Sequence, residues 1–230
     1  MAGEMVQFPS NGGTCGGYLA KPAAGNGPGV IVIQEWWGLV PWIKSVADRL
    51  AGEGYVALAP DLYHGKTTAE PDEAGKLMMG MKMDDAARDM SGAYDYLASH
   101  QASTGKVGSV GFCMGGGLSL YIATLKPVDA CVIYYGVVPG GAQPDLTNIK
   151  GPVLGHYAEN DGWASPDAAR ALEKQLRDAG KQAEFHIYPG AKHAFMNPSP
   201  EVLKAGGAYD EAAARQSWER TLAFYKQHLA

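Results

Sequence analysis

Cysteine is scarce in these 230 residues, positive charge is in the minority and long apolar runs are missing, and each shortage closes off a class of function. The three cysteines (Cys15, Cys113, Cys131) are odd in number and widely spaced, which points to reduced thiols in a cytoplasm and away from a disulfide framework. No Cys/His spacing resembles a zinc site, and the six histidines include no H-E-x-x-H pair, so neither a metal nor any other cofactor is expected. Lys and Arg number 19 against 24 Asp and Glu, a net charge of −5 with no basic cluster, so nucleic acid and anionic membrane are excluded as expected partners. No apolar run approaches the roughly 18 residues of a membrane span. The first residues carry no basic segment followed by an apolar core, so no secretory signal is expected.

What is present is a globular composition, 46% hydrophobic and 19% charged, at a length normal for one α/β domain. Short apolar runs alternate with amphipathic segments. The runs are 30–34, 55–59, 107–110, 130–135, 153–158 and 183–188. The pattern predicts a mostly parallel, doubly wound sheet with helices on both faces, a three-layer sandwich spanning residues 1–230 as a single domain. Helical stripes fall on Trp42, Val46 and Leu50, on Ala86, Met90, Ala93 and Leu97, and from about Tyr209 on Trp218, Leu222, Tyr225 and Leu229. Another helix has Ser165 as N-cap, Pro166 in its first turn and Gly180 as its stop. Asn11-Gly12-Gly13 predicts a hairpin over 6–19 at the sheet edge. The stretch from Leu62 to Met83 is expected to be irregular. Its methionines (Met78, Met79, Met81, Met83) are expected to fill core gaps, with a cover over a pocket as the alternative.

Chemistry enters with Gly111-Phe112-Cys113-Met114-Gly115, which has the G-x-S-x-G glycine spacing of a nucleophile elbow with cysteine in the serine position. The turn predicts a thiol at a helix N-terminus, where free N–H groups favour a thiolate and a developing oxyanion. A nucleophile needs a base, and the base needs an orienting group. Both follow in the order an α/β-hydrolase sheet requires: Asp161 past one predicted strand, then His193 past the last. Glu159 and Asn160 are close rivals of Asp161, which is preferred because Gly162 permits a tight turn. His156 and His186 fall within predicted strands and are expected to be packed; His64 and His100 precede the nucleophile, and His228 lies in the last helix. Glu35 follows four β-branched residues at a strand's end, where an unpaired carboxylate is expensive to bury.

These motifs, with Gln34-Glu35-Trp36-Trp37-Gly38, Pro60-Asp61-Leu62-Tyr63 and Tyr134-Tyr135-Gly136, resemble those of the dienelactone hydrolase (carboxymethylenebutenolidase-like) family over nearly the whole chain. The resemblance implies an α/β-hydrolase fold in which Cys113 attacks, His193 takes the proton, Asp161 holds the imidazole and Glu35 helps deprotonate the thiol. It also implies an oxyanion hole from the N–H groups of Trp36 and Met114. One departure stands out. The family's best-known members clamp a substrate carboxylate with two arginines, whereas here position 197 is Asn197 and residues 64–83 contain no arginine. A neutral ester or lactone is therefore the expected substrate, with Trp37, Tyr63, Trp163 and Phe195 as expected pocket walls. A thiol nucleophile suits activated and aryl esters better than amides. The alternatives are side activity on organophosphate triesters, a redox- or electrophile-sensing thiol on the same fold, and a catalytically silent binding module. A monomer or small homo-oligomer is expected.

Overall fold

The computed structural model describes residues 3–138 and 144–230. Eight strands form one sheet: β1 (Glu4–Ser10), β2 (Gly13–Ala20), β3 (Gly27–Ile33), β4 (Val56–Pro60), β5 (Ser103–Phe112), β6 (Ala130–Tyr134), β7 (Val153–Asn160) and β8 (Ala183–Lys192). Their spatial order is β1-β2-β4-β3-β5-β6-β7-β8. From β4 to β8 the strands run parallel, while β2 lies antiparallel to both β1 and β4. Asn11 and Gly12 both have left-handed φ, 51° and 74°, and connect Ser10 to its partner Gly13. That two-residue turn matches the twist of the flanking strands and fixes the register of the edge hairpin.

Parallel strands covered on both faces should be continuously apolar, and Val30 to Ile33 are entirely buried. Helix α1 (Pro41–Gly52) packs on β2, β3 and β4, and α7 (Glu211–His228) on β6 and β7. These two helices meet where the Arg49 guanidinium stacks on Trp218 at 4.1 Å. On the opposite side α3 (Met83–Ser99) and α4 (Met114–Leu125) pack together, and α5 (Pro166–Asp178) covers β7 and β8. The Ser165 hydroxyl caps α5 by accepting the Ala168 N–H at 3.2 Å, and Gly180 leaves it at φ 75°. His156 is buried as expected, between the Tyr188 hydroxyl (2.9 Å) and Thr221 (3.1 Å). Among the described residues, no helix is long and apolar enough to cross a membrane.

Two expectations change. The stretch 62–83 is not irregular throughout, because Pro71–Gly80 form a helix, α2. Pro71 supplies the fixed φ of a first helical turn, and Asp72 and Glu73 sit against its positive end. The alternating methionines lie where α2 ends and α3 begins, which hides the helical period. A short helix, α6 (Pro200–Lys204), also forms beyond β8. Strands β5 and β8 extend past their apolar cores because backbone pairing continues into polar residues, as far as Asn160 against Lys192.

Because β3 is buried on both faces, Ile31→Ala leaves a cavity that helices on neither side can close. It should cost about 2–5 kcal/mol, read as a lower urea midpoint at unchanged slope.

Candidate active site

All six parallel strands point their carboxyl ends at one rim, and the segments that leave β3, β5, β6, β7 and β8 supply the site. Cys113 occupies the one-residue turn from β5 to α4 at φ 56° and ψ −121°, a left-handed conformation costly for a residue with a side chain. The turn closes only because its flanks lack side chains. A Cβ on Gly111 would sit 1.8 Å from the Gly115 carbonyl oxygen, and one on Gly115 would sit 2.4 Å from that of Gln34. The Cys113 N–H donates to the Tyr134 carbonyl at 3.1 Å, tying the turn to β6. The N–H of Met114, first residue of α4, and that of Trp36 find no acceptor among the described residues.

Asp161 and His193 meet across β7 and β8. His193 Nδ1 donates to Asp161 Oδ2 at 2.7 Å, while the Trp163 and Ala164 N–H groups donate to Asp161 Oδ1 at 2.8 and 2.9 Å. Burial pushes the Asp161 carboxyl up, but the His193 bond and charge and the two N–H donors outweigh it and hold it below its ordinary value. The rivals are engaged elsewhere. Glu159 accepts the Gly190 N–H at 2.8 Å and Asn160 donates to the Gly190 carbonyl at 3.2 Å, so both pin the turn that carries His193. Burial disfavours the charged imidazole of His193, yet hydrogen bonds with Asp161 and Cys113 and their negative charge raise it to about 10.

Glu35 is buried, with Oε2 accepting from Asn197 Nδ2 at 2.6 Å and Oε1 without a partner. Burial raises its carboxyl from an ordinary 4.5 to about 7, against the pull of the Asn197 bond and the His193 charge. Asn197 is the residue that sequence reasoning missed: its position was noted only for lacking an arginine. Its side chain also accepts the Ser199 N–H at 2.9 Å, so a neutral amide bridges Glu35 to the chain beyond His193.

Two cavities meet at Cys113 and His193. The first, about 130 Å³, is walled by Glu35, Trp36, Trp37, Asp161 and Trp163. The second, about 410 Å³, is walled by Met78, Met79, Met81, Met83, Met114 and Tyr135. The four methionines line this pocket, and Met78, Met81 and Met83 also pack against the core. No Lys or Arg is among the described residues lining either cavity. Trp37 and Trp163 take the wall positions expected of them, Trp163 as the exposed lip. Tyr63 and Phe195 do not. The buried Tyr63 turns its hydroxyl onto the Met114 sulfur at 3.5 Å, and Phe195 packs at 5.1 Å from both Tyr135 and Tyr188, beneath the site. Both residues follow motif residues along the chain, but their side chains point under the rim. His186 is half-buried on β8, beside Glu184 at 2.9 Å.

A parallel sheet with a strained strand-to-helix turn and a loop Asp–His pair defines an α/β hydrolase. Residues 15–229 match the dienelactone hydrolase family model, and the chain belongs to that family. It is 41% identical to protein usf of Aquifex pyrophilus, over 99% of both chains. It is 37% identical to an Aquifex aeolicus protein named "Putative carboxymethylenebutenolidase", again over 99% of each. A solved dienelactone hydrolase-like promiscuous phosphotriesterase from metagenomic libraries superposes with a TM-score of 0.88 at 25% identity, covering 100% of both chains. The protein is thus a hydrolase acting on lactone or ester bonds.

The Glu35 shift has a sign that stability reads directly. Between about 4.5 and about 7 the native state keeps a proton that the unfolded chain has released, so folding stability falls as pH rises through that window and levels off above it. Glu35→Gln removes this slope while preserving an acceptor for Asn197. Relative to the native protein, the variant should gain on the order of 3 kcal/mol between pH 4 and pH 8, measured by urea unfolding at each pH.

Proposed function

We propose that the enzyme hydrolyses small, neutral carboxylic esters or lactones through a Cys113 acyl-enzyme. The observation that carries this reading is the His193–Asp161 bond beside a thiol held on the strained turn. His193 takes the Cys113 proton as the sulfur attacks the carbonyl carbon, and Asp161 holds the resulting imidazolium. The new C–S bond sends the carbonyl π pair onto oxygen, where the free N–H groups of Trp36 and Met114 receive it. Collapse breaks the C–O bond, and the leaving alkoxide takes the proton from His193. The thioester carries no charge, and His193, neutral after protonating the leaving group, is still held by Asp161. It then accepts a proton from water as the hydroxide attacks the thioester, and C–S cleavage returns the thiolate. Asp161 holds the ring in place throughout. Glu35, with a free buried oxygen on the cavity that Cys113 shares and a carboxyl near 7, assists the transfer of the thiol proton to His193 when substrate arrives.

The walls support the choice of substrate. A methionine-lined cavity of about 410 Å³ suits an apolar acyl or aryl group, and methionine adapts to varied shapes. With no Lys or Arg among the described residues of either wall, a substrate carboxylate would be buried without a counter-ion. A second reading, slow turnover of organophosphate triesters, is favoured by the name of the metagenomic structural relative and by the same thiolate and oxyanion donors.

Cys113→Ala should lower p-nitrophenyl ester turnover about a thousandfold or more with the circular dichroism spectrum unchanged; retained turnover excludes the mechanism. A paraoxon-like triester assayed with the same variant tests the second reading. Across paired aryl esters, kcat/KM should favour a neutral acyl chain over its carboxylate-bearing equivalent by at least about tenfold, the worth of one poorly compensated buried charge. Equal rates would remove the argument for a neutral substrate.

A further inference from the structure

A second group of chemistry-bearing side chains lies away from the catalytic rim, between the hairpin strand β2, the turn after β4 and helix α3. Cys15 on β2, His64 and Asp89 on α3 bring Sγ, a ring nitrogen and a carboxylate oxygen within 4.8 Å of one another. We infer that these three residues form a zinc site, with a thiolate, an imidazole and a carboxylate as protein ligands and a water in the fourth position.

Asp89 is the observation that calls for a ligand. Its side chain is 3% exposed, and Oδ1 accepts the Ser10 hydroxyl at 2.5 Å. Oδ2 is equally buried and makes no hydrogen bond of acceptable geometry, although His64 Nε2 stands 3.2 Å away. A buried carboxylate oxygen without a partner is costly, and a thiol and an imidazole, the donors zinc prefers, lie within 4.8 Å of this carboxylate. Cys15 Sγ is fully buried and otherwise reaches only backbone carbonyls, those of Gly16 at 3.3 Å and Asp61 at 3.8 Å. His64 is held in place by its turn. Asp61 accepts the Tyr63 and Gly65 N–H groups at 3.2 and 2.6 Å, which bends the chain so that His64 takes a left-handed φ of 52°.

The charges also close. One Zn²⁺ with one thiolate, one carboxylate, a neutral imidazole and water is a neutral unit in a buried place, and coordination replaces the Cys15 S–H proton, which leaves to solvent. The His64 ring is 58% exposed, giving the ion an entry path and water its place. The mixed sulfur, nitrogen and oxygen set excludes calcium and magnesium, which take oxygen ligands. Occupancy would tie three elements remote in sequence, as a structural site does, at the start of the segment leading to α2 and the methionine-lined cavity.

The test uses the full chain carrying Cys113→Ala, so that the catalytic thiol and His193 cannot mimic the signal. Titration with Co²⁺ should saturate at one equivalent with thiolate-to-cobalt charge-transfer absorption, Zn²⁺ should displace it, and added Zn²⁺ should raise Tm. Cys15→Ser should abolish the charge-transfer band. His64→Ala removes an exposed ring and leaves the core intact; it should weaken Zn²⁺ binding about tenfold or more, since even an outer-shell partner is worth that much. Absence of the band, a band that survives Cys15→Ser, or affinity unchanged by His64→Ala each overturns the site.

Discussion

Everything at the catalytic rim depends on how closely β5, α4 and β3 approach one another around Cys113. The thiol protrudes because its residue is held at φ 56°, and that strain persists only while the backbones on either side are in contact. Gly111 and Gly115 allow that contact, since any Cβ there would overlap a carbonyl oxygen. The same approach aims the start of α4 at the space above the sulfur, so nucleophile and anion-stabilising donors are set by one constraint. The sheet's parallel order then brings the segments after β7 and β8 to the same rim, where Asp161 and His193 lock together with three hydrogen bonds on one carboxylate.

Around this frame the electrostatics are built from few charges. A neutral amide, Asn197, is the hydrogen-bond partner of Glu35, so burial dominates and the carboxyl stays near 7. Beside it sits His193, whose proton is stabilised chiefly by bonds to Asp161 and Cys113. Glu35 and His193 therefore hold their protons and Asp161 gives its own up, in an order set by burial and partners and not by their ordinary affinities. Absence of a Lys or Arg from the described cavity walls keeps this balance internal and leaves an apolar space for substrate.

Much of this was legible in the linear chain, for reasons that can be named. Glycine spacing around Cys113 reflects a backbone clash that only glycine avoids, and the alternation of apolar runs with helical stripes reflects a sheet covered on both faces. The Asn-Gly turn, the Ser165 cap and the order Cys113, Asp161, His193 are likewise local facts. Helix α2 was hidden because Pro71 and the alternating methionines mimic a loop, although Asp72 and Glu73 after the proline were a usable signal. Tyr63 and Phe195 were misplaced because position along a motif does not state which way a side chain turns. Both lie beneath the rim, one on Met114 and one against Tyr135 and Tyr188.

The amino-acid order alone determined the fold class, the strand succession and the identity of the reactive groups, because these rest on periodicity and on residues no other type can replace. Tertiary structure alone decided which buried atoms meet. Asn197 reaches Glu35 across 162 positions, the methionines of α2 and α3 line a pocket shared with the thiol, and Cys15, His64 and Asp89 converge from three separate elements. Spacing along a chain carries no record of such meetings, since contacts between distant segments are set by how the layers pack, and burial and hydrogen bonding act only once they have.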